Sequence, residues 1–337
     1  MLVFSAAHGV ADIPKDVERP TSEVPVPRIG MTTDAAPSAC LVLHGKAAQR
    51  EDVRAAVRAL RDDGFRVDVH VTWEGGDAAR FARRAANEGF GVVIAGGGDG
   101  TVNEVVSGLM DRGSDAGPSP SLAILPLGTA NDLARACRIP LDPLGALRLA
   151  VSRPATLVDV GQVNGRCLLN VATGGFGTSL TVATPKELKK IFGGAAYLLT
   201  GLTHFTSIRP ERGRMTGPGF EWEGEFLILA VGNGRQAGGG HPLCPEALLN
   251  DGLFDVRILP KLPNDELAPA LRDLLRGGLD AVQRAVVGAR VSQLEIETDE
   301  ALQINLDGEP ITGTRFRFEL LPQGLPMKLP ADCPLLA

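Results

Sequence analysis

Residues 90–106, FGVVIAGGGDGTVNEVV, combine an apolar run, a glycine-rich loop and the start of a helical pattern. The apolar run has the length of a buried β-strand, and TVNEVVSGLM (101–110) after the loop has helical character. Glycines let the backbone turn tightly, and the N–H groups at a helix N-terminus attract anions such as phosphate. The stretch therefore predicts a strand, loop and helix with a candidate phosphate site in the loop.

The same alternation of strand and helix surrounds this unit. Strands are predicted at residues 40–45, 67–73 and 121–128, and helices at 49–64 and 77–88, the second with Asp77 as its N-cap. Apolar strands that alternate with helices indicate a parallel sheet covered on both faces, whose ligands bind at the carboxyl ends of the strands. We therefore predict an α/β fold with a Rossmann-like parallel-sheet nucleotide-binding domain at residues 39–153.

Strand patterns dominate after about residue 154, from ATLVDVGQV (155–163) to TRFRFELLP (314–322). They predict a β-rich, sandwich-like domain over residues 154–330, with helices at 185–207 and 264–277 and a tail at 331–337 that returns to the first domain. Residues 1–38 carry five prolines and no sustained period, which predicts a disordered extension. Met31 is an alternative start, so the sequence leaves open whether residues 1–30 are translated.

The composition excludes several classes of protein. The 34 basic and 40 acidic side chains give a formal net charge of −6, which argues against a nucleic-acid partner because phosphate neutralisation needs a basic surplus. Five dispersed cysteines without a CxxC pair fit neither a disulfide framework nor a zinc ribbon, and we expect them to be buried and reduced. No apolar run approaches the ~18 residues that cross a bilayer, and no G-x-S-x-G elbow indicates a serine hydrolase.

Two glycine-containing turns at neighbouring strand ends carry the candidate chemistry. The first, GGGDG (96–100), has neither the lysine of a P-loop nor the GxGxxG spacing of a dinucleotide site, and Asp99 would repel phosphate unless Mg²⁺ or water stands between them. The alternative is a tight turn in which Asp99 caps the helix. In the second turn, PLGTANDLAR (126–135), Thr129 and Asn131 can cap a helix or donate to phosphate. Together the turns favour a nucleotide cleft.

The sequences of these two turns resemble the motifs of a known family. GGGDGTVNEV and LPLGTANDLA resemble the nucleotide-binding motifs of the diacylglycerol kinase catalytic-domain superfamily, and in particular those of the YegS-like bacterial lipid kinases. The resemblance runs from about residue 40 to the C-terminus and includes VTWEGGDAARFA (71–82), NVATGGFGTSL (170–180), VGNGRQAGGG (231–240), LLNDGLFDVRI (248–258), LDGEP (306–310) and DCPLL (332–336). The GGDGT core is also shared with NAD kinases and phosphofructokinase-like folds. The whole set of motifs in this order is more specific to the YegS-like lipid kinases.

The resemblance implies roles for individual residues. ATP, the co-substrate, is expected to contact Thr72, Thr129 and the loop Gly98, Asp99, Gly100, Thr101, Val102, Asn103 and Glu104. A structural Mg²⁺ site, which Ca²⁺ can also fill, falls on Leu248, Asp251 and Leu253, with the leucines contributing backbone carbonyls. The general base falls on Glu309, with Asp307 beside it as a second candidate catalytic residue.

The resemblance also implies an activity: transfer of the γ-phosphate of ATP to the hydroxyl of a glycerol-bearing lipid such as phosphatidylglycerol or diacylglycerol. Two alternatives stay open, an NAD kinase-like enzyme and a noncatalytic nucleotide or lipid sensor. The expected location is the cytoplasm with transient peripheral contact to a membrane, and a homodimer is left open. The apolar segment 191–205 either forms a wall of an acyl-chain groove or packs as a core helix.

Two residues have no settled role in the sequence. His44 stands where the first strand of these kinases commonly ends in an asparagine-containing turn, and it either replaces that hydrogen bond or faces solvent. Arg235 lies in a matched stretch, where it binds phosphate or acidic lipid or is an ordinary surface arginine.

Overall fold

The structure is a computed structural model that describes residues 38–111, 118–175, 209–261 and 286–337. The extension predicted over residues 1–38, apart from Ser38, lies outside these ranges, as do the helices predicted at 185–207 and 264–277 and with them the apolar segment 191–205. Of the helices that these ranges contain, none has both the length and the apolar character needed to cross a membrane.

The first half of the chain alternates strands and helices, as predicted. Its elements are β1 (Ser38–Leu43), α1 (Glu51–Asp62), β2 (Arg66–Val71), α2 (Asp77–Asn87), β3 (Val92–Gly97), α3 (Asp99–Met110), β4 (Ser121–Pro126), α4 (Asp132–Ala136) and α5 (Pro143–Ser152). The strands lie in the order β2-β1-β3-β4, and all three pairings are parallel. The predicted parallel sheet is confirmed, and its carboxyl edge is the edge where β3 and β4 run into the two glycine turns.

Helices cover both faces of this sheet. On one face α1 packs through Val53, Val57 and Leu60, the residues that recur at helical spacing in the sequence, together with α5. On the other face α2 and α3 pack through small and aliphatic residues such as Ala82 and Val105. The sheet between them is buried on both sides, which explains why β3 and β4 are apolar apart from Ser121.

The predicted N-cap of α2 is corrected by one residue. Gly76, with a φ of 85°, occupies the N-cap position, and Asp77 is the first helical residue. The Asp77 carboxylate still faces the preceding turn, where it accepts the N–H groups of Trp73 at 2.8 Å and Glu74 at 3.2 Å. Those two hydrogen bonds and the pairing with Arg80 lower the pKa of Asp77 to about 2. The side chain thus fixes the loop between β2 and α2.

The second half of the chain is built from strands. They are β5 (Ala155–Val163), β6 (Arg166–Leu168), β7 (Val171–Gly175), β8 (Glu211–Gly217), β9 (Phe220–Gly232), β10 (Gln236–Ala237), β11 (His241–Pro242), β12 (Phe254–Pro260), β13 (Val287–Val291), β14 (Gln293–Leu306) and β15 (Glu309–Lys328). These strands pair with one another in antiparallel fashion. Their core includes Phe226, Phe254 and Phe318, all fully buried.

The two halves are joined through β15. Near its end Met327 pairs in parallel with Leu122 of β4, while the same strand pairs along its length with β14 and β5. The parallel and antiparallel parts therefore belong to one continuous sheet. After β15 the tail packs back on the first half, where Leu335 lies in the same buried cluster as Val105 of α3 and its carbonyl accepts the N–H of Leu249 at 2.8 Å.

Candidate active site

The first glycine turn places the start of α3 at the carboxyl edge of the sheet. Gly98 is the N-cap of α3 and makes no side-chain cap. A Cβ on Gly97 would lie 2.3 Å from Oγ1 of Thr101, so no side chain fits there, whereas a Cβ on the exposed Gly100 would meet nothing within 4 Å. The first N–H groups of a helix have no intrahelical acceptor and sit at its positive end. The turn is therefore open to an anion at Gly100 and tightly packed behind it.

The second glycine turn lies against the first. A Cβ on Gly128 would come within 2.5 Å of the Cα of Gly98, so the two backbones touch where side chains are absent. Asn131 stabilises this turn, because its Oδ1 accepts the Gly128 N–H at 2.8 Å and its Nδ2 donates to the Gly128 carbonyl at 2.9 Å. Asn131 occupies the N-cap position of α4 with a φ of 52°, but its side chain does not cap that helix. Thr129 is exposed between these residues.

Asp99 connects the two turns. Its Oδ1 accepts the N–H of Leu133 at 3.3 Å, so this carboxylate caps α4 rather than its own helix α3, the alternative considered from the sequence. Burial raises the pKa of Asp99, the N–H of Asp132 lowers it, and the nearby charge of Asp132 raises it. Overall the pKa of Asp99 is raised, because the hydrogen bonds that it accepts do not fully offset the cost of burying its charge.

Thr72 and His44 fix the neighbouring strand ends. The Thr72 hydroxyl accepts the N–H of Gly45 at 3.2 Å, which ties the end of β2 to the turn after β1. The structure resolves the role of His44, because its Nδ1 accepts the N–H of Lys46 at 3.2 Å and caps the short 3₁₀ turn 45–47. His44 therefore supplies a local hydrogen bond at the strand end.

Two further predicted nucleotide residues of α3 contact other parts of the protein. Glu104 accepts the N–H of Gly76 through Oε2 at 3.0 Å, which fixes α3 to the loop before α2. Val102 is buried in the core beneath the helix. These two side chains hold the helix in place. A nucleotide would therefore be contacted by the backbone of the first helical turn.

Asn103 joins α3, the helix that follows the first glycine turn, to the second half of the chain. It is buried, and its Nδ2 donates to the carbonyl of Cys167 at 3.1 Å and to Oδ2 of Asp307 at 3.0 Å. The Asp307 carboxylate also accepts the N–H groups of Leu169 at 2.7 Å and Val171 at 2.9 Å. Burial raises the pKa of Asp307, while these N–H donors and the Asn103 amide lower it. Both oxygens of Asp307 are thus occupied, and the carboxylate ties the hairpin to the segment 169–171.

Replacing Asp307 with asparagine is expected to lower the free energy of unfolding by about 2 kcal/mol, because an amide NH₂ would face backbone N–H groups and leave buried donors unsatisfied. Urea unfolding at neutral pH measures the loss. Asp299→Asn is the matched control, since that side chain is exposed and its ion pair with Arg212 is long, at 3.7 Å. Equal stability of the two variants would contradict the anchoring role.

Glu309 stands at the start of β15, directly after a tight hairpin. Asp307 and Gly308 form its two turn residues with φ values of 48° and 105°, and Leu306 pairs with Glu309 across it. Positive φ at both positions is the geometry of the type I′ turn, which favours Asp-Gly. Glu309 is partly exposed and lines a cleft of about 410 Å³ between α3, including Asn103, and the β5–β6 hairpin.

Asn103 connects the first glycine turn with the cleft of Glu309. Asn103 lines the cleft beside Glu309 and follows Asp99 by four residues on the same helix. At a rise of 1.5 Å per residue, four residues correspond to roughly 6 Å, about one helical turn. The hydrogen bond between Asn103 and Asp307 joins the loop 98–104 and the hairpin of Glu309 into one group, whereas the other α3 residues that line the cleft, Ser107, Gly108 and Met110, lie toward the C-terminal end of the helix.

A second link between the halves was not predicted. Asp132, buried at the start of α4, accepts the N–H of Gly240 at 2.6 Å and the N–H of Gly239 at 3.1 Å. Both glycines have positive φ, near 95°, which directs their N–H groups to one carboxylate. Arg235 shapes the same loop, because its Nε donates to the carbonyl of Ala247 at 2.8 Å. The only sequence signals were the acidic residue in a first helical turn and the run of three glycines.

The predicted structural metal residues lie apart from this group. Oδ1 of Asp251 accepts the N–H of Leu253 at 3.0 Å, and its Oδ2 forms an ion pair with Arg290. Burial raises the pKa of Asp251, and the Arg290 charge lowers it. With both carboxylate oxygens engaged and a guanidinium as counterion, the set Leu248, Asp251 and Leu253 does not fit Mg²⁺ or Ca²⁺ in this arrangement.

Comparison with known proteins agrees with this architecture. The family model described as the diacylglycerol kinase catalytic domain matches residues 38–163, and the model described as the YegS C-terminal NAD kinase beta sandwich-like domain matches residues 174–328. A crystal structure titled as a diacylglycerol kinase from Bacillus anthracis has a TM-score of 0.66 and 22% identity, covering 89% of this chain and 100% of that one. A second structure from the same organism reaches a TM-score of 0.73 at 24% identity, covering 90% of this chain and 98% of that one. These two likenesses concern the fold.

Curated relatives are more similar in sequence. A Pseudomonas aeruginosa protein named "Probable lipid kinase YegS-like" is 54% identical over 296 residues, which cover 88% of this chain and 95% of the relative. A Xanthomonas campestris protein of the same name is 50% identical over 300 residues, covering 88% and 97% of the two chains. On these matches the chain belongs to the YegS-like lipid kinases of the diacylglycerol kinase catalytic-domain superfamily.

Proposed function

We propose that this lipid kinase transfers the γ-phosphate of ATP to the hydroxyl of a glycerol-bearing lipid, phosphatidylglycerol or diacylglycerol. In this proposal residues 39–153 hold the nucleotide and residues 154–330 supply the acceptor site and the base. The observation that supports it most directly is the hydrogen bond of 3.0 Å between Asn103 and Asp307. It joins the helix whose N-terminus is assigned to the phosphates to the hairpin that carries Glu309.

The nucleotide phosphates are assigned to the open side of the two glycine turns. Gly100 is exposed with free space above it, and the first turn of α3 offers backbone N–H groups and the positive end of the helix dipole. Thr129 is exposed on the adjoining turn, where its hydroxyl can donate to a phosphate oxygen. Thr72, held by Gly45, lies at the next strand end in a position to contact the nucleotide.

Glu309 is assigned the role of general base. A lipid hydroxyl is a weak nucleophile, and phosphoryl transfer needs in-line positioning and an acceptor for the hydroxyl proton. The Glu309 carboxylate is partly exposed in the cleft beside α3, and the anchored Asp307–Gly308 turn limits its movement. An acceptor hydroxyl bound there would pass its proton to Glu309 as its oxygen approaches the γ-phosphorus.

Mg²⁺ is proposed to bind together with ATP at the first glycine turn. Asp99 suits such an ion in chemistry, because it is a carboxylate whose pKa is raised by burial and by the charge of Asp132, and a cation would favour its ionised form. When bound, Mg²⁺ would neutralise negative charge on the phosphate oxygens. The chain's own contribution is to hold Asp99 in place through the N–H of Leu133.

Asp99→Asn is expected to raise the KM for MgATP about 10-fold and to shift the Mg²⁺ dependence in parallel, while the melting temperature stays close to that of the wild type. The amide oxygen can still accept the Leu133 N–H, so the turn keeps its tether while the charge is removed. Asp99→Ala, which loses the tether as well, is expected to weaken ATP binding further. An unchanged ATP titration of Asp99→Asn at limiting Mg²⁺ would remove Asp99 from the metal role.

The activity is tested by transfer of radiolabel from γ-labelled ATP into a total bacterial lipid extract, followed by identification of the labelled product. We expect one phosphorylated glycerol-bearing lipid, and the acceptor is then confirmed with purified phosphatidylglycerol and diacylglycerol in mixed micelles. Label in NAD⁺ instead of lipid would contradict the acceptor assignment. Transfer to both purified lipids at equal rates would show that the headgroup is not selected.

Access to such a lipid is proposed to occur by transient peripheral contact with a membrane from the cytoplasm. The formal net charge of −6 opposes nonspecific attraction to anionic headgroups, so contact should depend on the substrate lipid and on divalent ions. Liposome flotation with and without the acceptor lipid measures it. Absence of flotation under every composition and ion condition would contradict membrane contact.

A further inference from the structure

The edge strand β2 exposes a row of apolar side chains. β2 pairs with β1 on one side and with no other strand in the described part of the chain. Val69 and Val71 project from one face of β2, and Trp73 continues their spacing of two residues beyond the strand end. The exposed fractions of the three side chains are 37%, 45% and 95%, and Leu141 is the only other large apolar residue that the described ranges expose. We refer to Val69, Val71 and Trp73 as the β2 stripe.

The backbone of β2 is also directed outward beside this stripe. The Thr72 N–H donates to the carbonyl of Leu43 on β1 at 2.9 Å. Successive residues of a strand direct their backbone groups to opposite sides, so those of Val67, Val69 and Val71 point away from β1. Unpaired N–H and C=O groups on a strand edge are a template for a further strand, and a row of exposed apolar residues marks an interaction surface.

We propose that β2 pairs in antiparallel fashion with β2 of a second copy of this chain, about a twofold axis at Val69. A twofold interface is self-complementary, so residues with outward backbone groups must face one another across it. With the axis at Val69, this residue faces Val69 of the second copy, and Val67 faces Val71 on both sides of the axis. Each of these pairs can exchange both N–H···O hydrogen bonds.

The charged residues of β2 favour this register over its neighbours. With the axis at Val69, Asp68 lies opposite His70 of the second copy, so a carboxylate meets an imidazole that can donate an N–H. His70 is held by α2, where its ring centroid lies 5.1 Å from that of Phe81. An axis at Asp68 would place two carboxylates opposite each other, which is destabilising. An axis at His70 would leave Asp68 opposite Thr72 and form no pair of unlike charge.

A second copy suits this edge better than a membrane surface does. Lipid would cover the apolar side chains but would leave the outward N–H and C=O groups of β2 without partners, which is costly in an apolar medium. An antiparallel strand satisfies those groups and covers the β2 stripe at the same time. None of the described residues that line the cleft of Glu309 belongs to β2, so the interface can be tested independently of phosphoryl transfer.

Association is measured by light scattering after size-exclusion chromatography of the full-length chain over a range of concentrations. We expect a dimer whose population rises with concentration. Val69→Lys should be monomeric, because two lysines would meet at the axis, whereas the partly exposed site accepts a lysine in the single chain. Leu141→Lys is the matched control, since this residue is 42% exposed and lies outside β2, and it should dimerise as the wild type does. A wild-type chain that stays monomeric at every concentration, or equal association of the two variants, would overturn the proposal.

Cysteine substitutions test the register. In Val69→Cys the two new thiols face each other at a Cα separation of about 5.5 Å, so mild oxidation should give a disulfide-linked dimer. In Val71→Cys four residues of strand, about 14 Å, separate them, and no cross-link is expected. The five native cysteines are buried, and the unsubstituted chain gives the background. A stronger cross-link through Val71→Cys would overturn the register. A monomer that floats with liposomes, and no longer does so as Trp73→Ala, would assign the β2 stripe to a membrane instead.

Discussion

Glu309→Gln is expected to lower the kcat of γ-phosphate transfer by about 10² to 10⁴-fold, while the KM for ATP and the melting temperature stay unchanged. Glutamine has nearly the same shape as glutamate but cannot accept a proton in the transition state. Glu309 is partly exposed at the start of β15, so the substitution leaves no buried group without a partner. Steady-state kinetics with saturating lipid in mixed micelles measure the change, and thermal unfolding checks the fold.

Glu319→Gln is the matched control for this experiment. Glu319 lies on the same strand, is exposed, and pairs with Arg317 at 2.8 Å on the surface, a type of ion pair that contributes little to stability. Its loss should leave kcat unchanged. Near-normal turnover of Glu309→Gln would remove Glu309 from the role of base, and a large drop in its melting temperature would assign it a structural role instead.

The elements of the first half were predictable because each follows from a local pattern. β3 and β4 are apolar apart from Ser121, as expected of strands buried on both faces, and β4 was predicted to within two residues. The amphipathic spacing of α1 likewise identified the residues that it buries. In the second half β5 covers residues 155–163, the first segment to which the sequence analysis assigned a strand pattern.

The contacts that assemble the candidate site were not predictable in this way. Asn103 and Asp307 are 204 residues apart, and Asp132 and Gly239 are 107 apart, so no periodic pattern relates them. The sequence placed Asn103 among the nucleotide contacts because of its position in the motif, whereas the fold directs its side chain to the hairpin. Local signals identified the turns, and only the tertiary structure shows which side chains bridge them.

The metal residues illustrate a different limit. Resemblance to the family transferred Asp251 by its place in a motif, but the partner that decides its chemistry, Arg290, lies 39 residues further on and outside that motif. A positive side chain so placed changes what the carboxylate can bind, because it supplies the counter-charge that a cation would otherwise supply. Motif position thus identifies a residue without specifying its electrostatic surroundings.

Gly128→Ala is expected to reduce kcat/KM for ATP by about 10²-fold and to lower the melting temperature as well. The new Cβ would lie 2.5 Å from the Cα of Gly98 and 2.8 Å from Oδ1 of Asn131, so the two turns must separate. This separation moves the N–H groups of α3 that are assigned to phosphate, which weakens ATP binding. It also strains the hydrogen bonds of Asn131, which destabilises the fold. Steady-state kinetics at varied ATP concentration, together with thermal unfolding, measure both effects.

Two further alanine variants distinguish packing of the turns from binding of phosphate. Gly91→Ala places a Cβ 3.8 Å from its nearest neighbour, at the opposite end of the same sheet, and should behave as wild type. Gly100→Ala adds a Cβ with no neighbour within 4 Å, so it should keep the wild-type melting temperature, yet the methyl group occupies the space assigned to phosphate and should raise the KM for ATP. If Gly100→Ala binds ATP normally while Gly128→Ala does not, the phosphate lies elsewhere and the contact between the turns serves only the fold.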